Sequence, residues 1–182
     1  QGFITNGPAE HLKVNFPPPG KSKLVLPEWG PEGPILMAGQ QRPLNRTYTP
    51  RRWDVEAREL TVDFLLHGEG PGSTWAKQAR PGQVVAVSNQ PGGAYKVDIA
   101  AHWYLIGGDA AALPAMATLL EALPASCFAH VFAEVADGAE RLNLESPARF
   151  TITWLHHGGA VGQAGRKLER VVREFSFPEG DG

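Results

Sequence analysis

Three short segments carry residue types suited to a phosphorylated aromatic ligand. The first is Arg46-Thr47-Tyr48-Thr49-Pro50-Arg51. Residues two apart on a strand share a face, so Arg46 and Tyr48 can meet one ligand together. The planar guanidinium of Arg46 suits a pyrophosphate, and the Tyr48 ring can pack on another ring system. Thr49 points to the opposite face, but at a strand end its hydroxyl and N–H can reach a ring edge. By itself this run also reads as an ordinary barrel strand with a surface arginine and a half-buried tyrosine. The second segment is Val62-Asp63-Phe64-Leu65-Leu66-His67-Gly68. Asp63 and His67 flank one face of its strand. No nucleophile accompanies His67, which reads as a structural or cofactor-edge histidine. The third segment is Gly70-Pro71-Gly72-Ser73-Thr74-Trp75-Ala76. Gly70 and Gly72 permit close backbone approach. Ser73 or Thr74 is the expected N-cap, and the free amides of the following turn would face an anion. A capped helix with nothing bound is the plainer alternative. Taken together, a strand feeding a strand that ends in a glycine-rich turn and a helix predicts a pocket for a flat aromatic cofactor joined to a pyrophosphate. A flavin is the first ligand to test.

Other candidates are weaker. Gly107-Gly108-Asp109 ends an apolar run and precedes a helix. That is where a second nucleotide could sit, at the carboxyl end of a parallel sheet. The spacing does not give Gly-x-Gly-x-x-Gly, so a tight strand–helix turn is an equal reading. His156 and His157 follow the strand ending at Leu155 and read as a loop-exposed pair, because no third metal ligand is placed near them by sequence. The five tryptophans (29, 53, 75, 103, 154) are scattered and read as packing anchors rather than a stacking track for bases. No side chain stands out as catalytic.

Composition narrows the classes. The 182 residues are 42% hydrophobic and 20% charged, with a net charge of −2. That suits one or two globular domains and gives no basic field for nucleic acid or anionic lipid. The Ala/Leu-rich region from 110 to 136 is interrupted by Pro114, Glu121 and Pro124, so it does not supply the ~20 apolar residues of a membrane span. Cys127 is the only cysteine, which excludes a disulfide within the chain and any cluster held by several cysteines. It lies in an apolar run and reads as a small buried hydrophobe in a reducing, cytoplasmic setting. The chain starts at Gln1 without a Met and stops in Pro178-Glu179-Gly180-Asp181-Gly182, a loop-like ending, so a longer parent protein is expected.

The elements that must position these residues fall into two blocks. Short strands are expected at 11–16, 46–51, 59–67, 83–87 and 94–99, with a long loop over 27–39 and one short helix over 74–79. This is the pattern of a small antiparallel barrel. Near residue 100 the rhythm changes to apolar strands at 103–106, 128–135 and 150–155, with amphipathic helices over 111–123 and 163–175. Strand–helix–strand with apolar strands predicts a parallel sheet covered on both faces. The fold class expected is therefore an antiparallel β-barrel domain, residues 1–99, followed by an α/β nucleotide-binding domain, residues 100–182.

The same segments, in this order, give the chain a family likeness. It resembles the siderophore-interacting proteins, flavin-binding ferric-siderophore reductases related to ferredoxin-NADP reductases. The likeness rests on Arg46 to Arg51, Val62 to Gly68, Gly70 to Ala76, Gly82-Gln-Val-Val-Ala-Val87 and Tyr104-Leu-Ile-Gly-Gly-Asp109. Ala112-Leu-Pro-Ala115 and Glu121-Ala-Leu-Pro124 continue it. The resemblance implies an FAD-binding barrel and an NAD(P)H-binding domain. It implies that Arg46, Thr47, Tyr48 and Thr49 hold the flavin ring and phosphates. It further implies that Asp63, Phe64, Leu65, Leu66 and His67 line the ring and ribitol, and that Gly72, Ser73 and Thr74 cradle the pyrophosphate. Gly108 and Asp109 would border the nicotinamide nucleotide. Relative to the family pattern, strands before the His11 segment and a Trp-containing segment after the last helix are absent.

The expected activity is reduction of a ferric siderophore by an FAD enzyme using NAD(P)H, with Arg51 and Arg52 attracting an anionic ferric complex. Solvated surface arginines are the plainer reading of that pair. Fe(III) is held by hard oxygen donors far more tightly than Fe(II), so reduction alone would free the metal. Two rivals remain open at this stage. One is a flavin reductase with a protein or quinone acceptor; the other is a non-catalytic module that carries a siderophore or nucleotide.

Overall fold

A computed structural model describes residues 3–18, 20–21, 23–89, 91–159 and 164–181. The chain divides into two compact units. The first comprises Gln1–Asn6 and His11–Gly92, the second Gly7–Glu10 and Gly93–Gly182.

The first unit is built on β1 (Leu12–Phe16), whose alternate residues Leu12, Val14 and Phe16 are fully buried. Alternation of this kind puts one face of a strand on a core and the other toward water. After the hairpin β2 (Glu28–Gly30) and β3 (Gly33–Ile35) come β4 (Leu44–Tyr48), β5 (Pro50–Asp54) and β6 (Glu59–Val62). Helix α1 (Pro71–Gln78) and β7 (Ala86–Val87) complete the unit. Strands β4, β1 and β7 form one antiparallel sheet, with Leu12 opposite Tyr48 and Val14 opposite Arg46. Strands β2–β3 and β5–β6 form two further antiparallel pairs. The expected antiparallel character holds. Among the described residues, however, the strands lie in three separate sheets rather than one closed ring.

Several boundaries differ from the sequence expectation. Residues 27–39, expected as a loop, contain the β2–β3 hairpin, whose three-residue strands are too short to show a period. Its Gly33 takes φ +120°, a conformation open to glycine. The run 46–51 is not one strand. It breaks at Thr49, and β4 and β5 enter different sheets. The strand expected over 59–67 stops at Val62, where its pairing with β5 ends at Pro50, and farther on the His67 amide turns back onto the Leu65 carbonyl at 3.2 Å. The helix starts at Pro71, not Thr74, since proline at the first position lacks only a donor that no helix would use there. Residues 94–99 have no strand partner. They end in a turn in which the Asp98 carboxylate accepts the Ala100 amide and the Asp98 carbonyl accepts the Ala101 amide. Of 83–87, only Ala86–Val87 pair.

The second unit is a parallel sheet of order β10-β9-β8, made from β8 (Trp103–Asp109), β9 (Phe128–Val135) and β10 (Arg149–His156). Helix α2 (Leu113–Ala122) buries Leu113, Met116, Ala117 and Leu120. Of these, Leu113, Met116 and Leu120 close a core with Tyr104, Ile106, Ala129, Val131, Ala133 and Val135. Helix α3 (Arg166–Glu174) and Phe175 lie on the other face, where Phe175 meets His130 and Phe132 edge-on. Register puts Asp109 beside Glu134, and Glu134 beside Leu155, at one carboxyl edge. Among the described residues no helix is long and apolar enough to cross a membrane.

Candidate functional site

The first unit brings its candidates together around α1. Directly opposed residues of an antiparallel pair share a face, so Leu44, Arg46 and Tyr48 of edge strand β4 lie on the same face as Phe16, Val14 and Leu12. That face carries an aromatic wall. Tyr48 packs on Phe64 with ring centroids 4.5 Å apart and meets Phe16 edge-on at 6.3 Å, and Trp75 of α1 lies 5.4 Å from Phe16. Burial raises the Tyr48 phenol above its ordinary value, an effect the Arg46 charge partly offsets. The phenol is therefore a neutral donor at physiological pH. Arg46 is exposed, and its Nη1 donates to its neighbour's carbonyl, Asn45 O, at 2.7 Å.

Helix α1 is held against this wall at one point of very close approach. A Cβ added to Gly72 would lie 1.8 Å from the Tyr48 hydroxyl and 3.7 Å from Phe16. Only glycine lets the helix start reach the tyrosine. Gly70 is the N-cap, with no side-chain cap bond, so the amides of Gly72 and Ser73 have no acceptor within the helix. The Thr74 amide is the first to bond, to Gly70 O at 2.9 Å.

The expected capping role of Ser73 or Thr74 is replaced by another. With the helix starting earlier, both side chains reach backward. Ser73 Oγ, buried, donates to Leu65 O and accepts the His67 amide. Thr74 Oγ1 donates to Glu69 O, and Lys77 Nζ donates to Gly68 O. These bonds fasten residues 63–69 to the helix. Phe64 and Leu65 turn partly inward, while Asp63, Leu66 and His67 are exposed. Thr47 is exposed and Thr49 half-buried at the break between β4 and β5. Arg51 and Arg52 belong to β5, in a different sheet from Arg46. Phe16 and Trp75 complete the wall, yet neither stood out as a ligand-facing residue in sequence. Their only signal was an aromatic on the buried alternation of β1 and another just inside the helix.

An unbonded pair of helix-start amides, an arginine on the same sheet face and an aromatic wall with a neutral phenol suit a ring joined to a diphosphate. The residues present fit a flavin nucleotide.

In the second unit, Gly108 is buried under α2. A Cβ there would lie 2.6 Å from Ala112 Cβ and 2.9 Å from Met116 Sδ. Its smallness serves the packing of helix on strand. Asp109 ends β8 and is exposed, its Oδ1 accepting the amides of Ala111 and Ala112. His156 is not part of an exposed loop pair. It is the last residue of β10, half-buried, with its ring bonded to Arg141. Among the described residues no group of three or more His, Cys, Asp or Glu could hold a metal.

Comparison with known proteins bears on both units. Residues 1–95 match the siderophore-interacting FAD-binding domain, and residues 101–182 match the siderophore-interacting protein model. The chain belongs to the siderophore-interacting protein family. Among the family's relatives, it is 32% identical over 180 residues to the ferric vibriobactin reductase ViuB of Vibrio cholerae, covering 98% of this chain and 65% of that protein. It is 33% identical over 159 residues to the NADPH-dependent ferric-chelate reductase of Escherichia coli, covering 86% of this chain and 61% of that one. This family member thus spans a little under two thirds of the length of these relatives. Two solved structures share its fold. The siderophore utilization protein from T. fusca superposes with a TM-score of 0.84 at 35% identity, over 99% of this chain and 68% of that one. The siderophore-interacting protein SipS from Aeromonas hydrophila gives 0.70 at 30% identity, over 96% and 69%.

Proposed function

We propose that this chain belongs to an FAD-dependent ferric-siderophore reductase that draws electrons from NAD(P)H and works in the cytoplasm. The observation that carries the reading is the Tyr48–Gly72 approach, which sets unbonded amides of α1 on the sheet face shared by Arg46 and the aromatic wall. Family membership and the ferric-reductase names of its relatives support it.

A flavin bound by these residues would supply hydride acceptance from a reduced nicotinamide and single-electron delivery to Fe(III). The chain's own residues bind and orient. Arg46 and the amides of Gly72 and Ser73 take the diphosphate. Tyr48 and Phe64 give the ring a partly buried face, and the Tyr48 hydroxyl, kept neutral by burial, donates a hydrogen bond. Ser73 holds residues 65–67 against the helix. Thr47 and Thr49 offer hydroxyls on either side of the strand end, and Asp63, Leu66 and His67 edge the same site. Arg51 and Arg52 draw in the anionic ferric complex. The second unit takes the nicotinamide nucleotide at its carboxyl edge, beside Gly108 and Asp109. The released Fe(II) is the product, held weakly by hard oxygen donors.

The test is anaerobic addition of NADPH to the intact protein with a ferric siderophore and an Fe(II) trap present. Bleaching of flavin absorbance together with Fe(II)–trap colour supports the reading. A protein that binds no flavin, or a flavin whose reduction releases no Fe(II), overturns it.

A further inference from the structure

The connection between β9 and β10, residues 136–148, is fastened at both ends. At its start Glu140 accepts the Ala136 amide at 2.7 Å, and Asp137 accepts the Ala139 amide at 2.8 Å. At its end Ser146 Oγ donates to Leu120 O at 2.6 Å and accepts the Ala148 amide at 3.1 Å. Between them residues 141–145 form no helix or strand, and only Leu144 packs on the core. Among the described residues one side chain bonds this stretch to the sheet. Arg141 donates through Nε at 3.2 Å and Nη2 at 3.0 Å to His156 Nε2, at the end of β10. Its guanidinium also lies over the Trp154 ring, 5.7 Å from the centroid. Trp154 and His156 are two apart on β10, so they share the face that carries α2.

That bond depends on the charge of the histidine. An arginine never accepts, so both N–H groups share the Nε2 lone pair, and the ring is neutral with its proton on Nδ1. A second proton would take the acceptor away. It would also set an imidazolium beside a guanidinium, and like charges at this range repel. The groups around the ring offer no relief. On β9, Glu134 is 1% exposed and accepts the Leu168 amide at 2.9 Å. Asp137 and Glu140 are engaged with backbone amides. On α3, Lys167 Nζ donates to the His156 carbonyl, and Glu169 pairs with Arg173. His157, the next residue, accepts the Gly159 amide at Nδ1. Among the described residues none of Arg141, His156 and Lys167 enters an ion pair.

We propose that His156 is an acid-sensitive clasp of this unit. In its neutral form it holds Arg141 across Trp154 and so seats residues 141–145 on the sheet. Once protonated it releases Arg141, and the stretch swings away while its two ends stay fastened. The clasp is therefore closed at neutral pH and open in acid. Histidine is the side chain suited to this, since it changes charge between about pH 5 and 8. Opening bares the Trp154 ring at the edge of the sheet, because β10 has β9 as its one neighbour among the described residues. The exits of β9 and β10 are joined by backbone as well, His157 N to Val135 O at 3.0 Å and Gly158 N to Ala136 O at 2.9 Å, so the strands keep their register. The clasp belongs to the second unit alone and stands whether or not a flavin binds the first.

The test is nuclear magnetic resonance of the intact, isotope-labelled protein, read at the histidine rings and the backbone. At about pH 7.5 the neutral His156 ring should carry its proton on Nδ1, and titration to about pH 5.5 should add the second. Over the same midpoint the order parameters of residues 141–145 should fall from about 0.85 to below about 0.6, while those of β9 hold. H156Q puts a carboxamide oxygen near the place of Nε2 with no proton to gain, so the stretch should stay ordered in both conditions. R141A should leave it mobile in both. A neutral His156 ring with its proton on Nε2 overturns the proposal. So do order parameters that acid leaves unchanged in the wild type, that fall equally in H156Q, or that stay high in R141A. A fall in β9 as well overturns it in favour of general unfolding in acid.

Discussion

The hydroxyl of Tyr48 stands in the space that a side chain at position 72 would need. The two positions are 24 residues apart in sequence, and a Cβ on Gly72 would come within 1.8 Å of that oxygen. This contact sets α1 over β4 and puts the unbonded amides of its first turn beside the aromatic wall. Gly72→Ala should therefore displace the tyrosine, cost about 1–3 kcal/mol of stability in urea unfolding, and weaken flavin binding. Gly70→Ala is the matched control. Its Cβ meets nothing within 4 Å and its φ is −63°, so it should cost no more than the ~1 kcal/mol of a poorer N-cap and leave flavin binding unchanged.

Ser73 makes a different prediction. Its hydroxyl bridges Leu65 O and the His67 amide, so Ser73→Ala removes two bonds and leaves these two groups only their mutual 3.2 Å bond. The expected cost is about 1–2 kcal/mol. Hydrogen exchange of the His67 amide should quicken, while exchange in the parallel sheet of the second unit should not change. Equal acceleration in both units would mean that the serine supports something broader than residues 65–67.

The pH dependence of stability follows from two buried groups, Cys127 and Tyr104, and the half-buried Tyr48. Burial pushes the Cys127 thiol and the Tyr104 and Tyr48 phenols above their ordinary values of 9.0 and 10.0. For Tyr104 the bond to Asp98 O partly opposes that rise. In each case the folded state retains the proton after the unfolded state has lost it. Their contribution is then fully present at neutral pH and declines as pH rises past the unfolded values. Thermal midpoints should be level from pH 7 to 8 and fall above about pH 9. Cys127→Ala should show a smaller fall between pH 8 and 10 than the parent protein, although it starts lower.

The second unit was more legible in sequence than the first. Unbroken apolar runs such as Phe128–Val135 are bounded by turn residues and match the observed strand end to end. A strand buried on both faces leaves little choice of register or length. The first unit depends on pairings between short segments, and three-residue strands such as Glu28–Gly30 have no period to read. Arg46 and Tyr48 were identifiable because strand alternation alone puts them on one face. The break at Thr49 was not, since it depends on β4 and β5 finding different partners. Ser73 was recognised as a helix-start residue but given the wrong task, because Pro71 sets the start three residues sooner. The Arg141–His156 bond was not legible for a plainer reason. Its two partners lie 15 residues apart and meet only through the fold.

The central claim is a flavin held by Arg46, Tyr48 and the start of α1. It is tested most directly by titrating the intact apoprotein with FAD and following fluorescence quenching, in wild type and in Arg46→Gln. Arg46 is exposed, so the substitution should leave the unfolding midpoint unchanged. Loss of a charge-assisted contact of about 1.5–3 kcal/mol should weaken FAD binding roughly ten- to a hundredfold. Wild-type protein that binds no FAD, or equal affinities in the two proteins, would contradict the account.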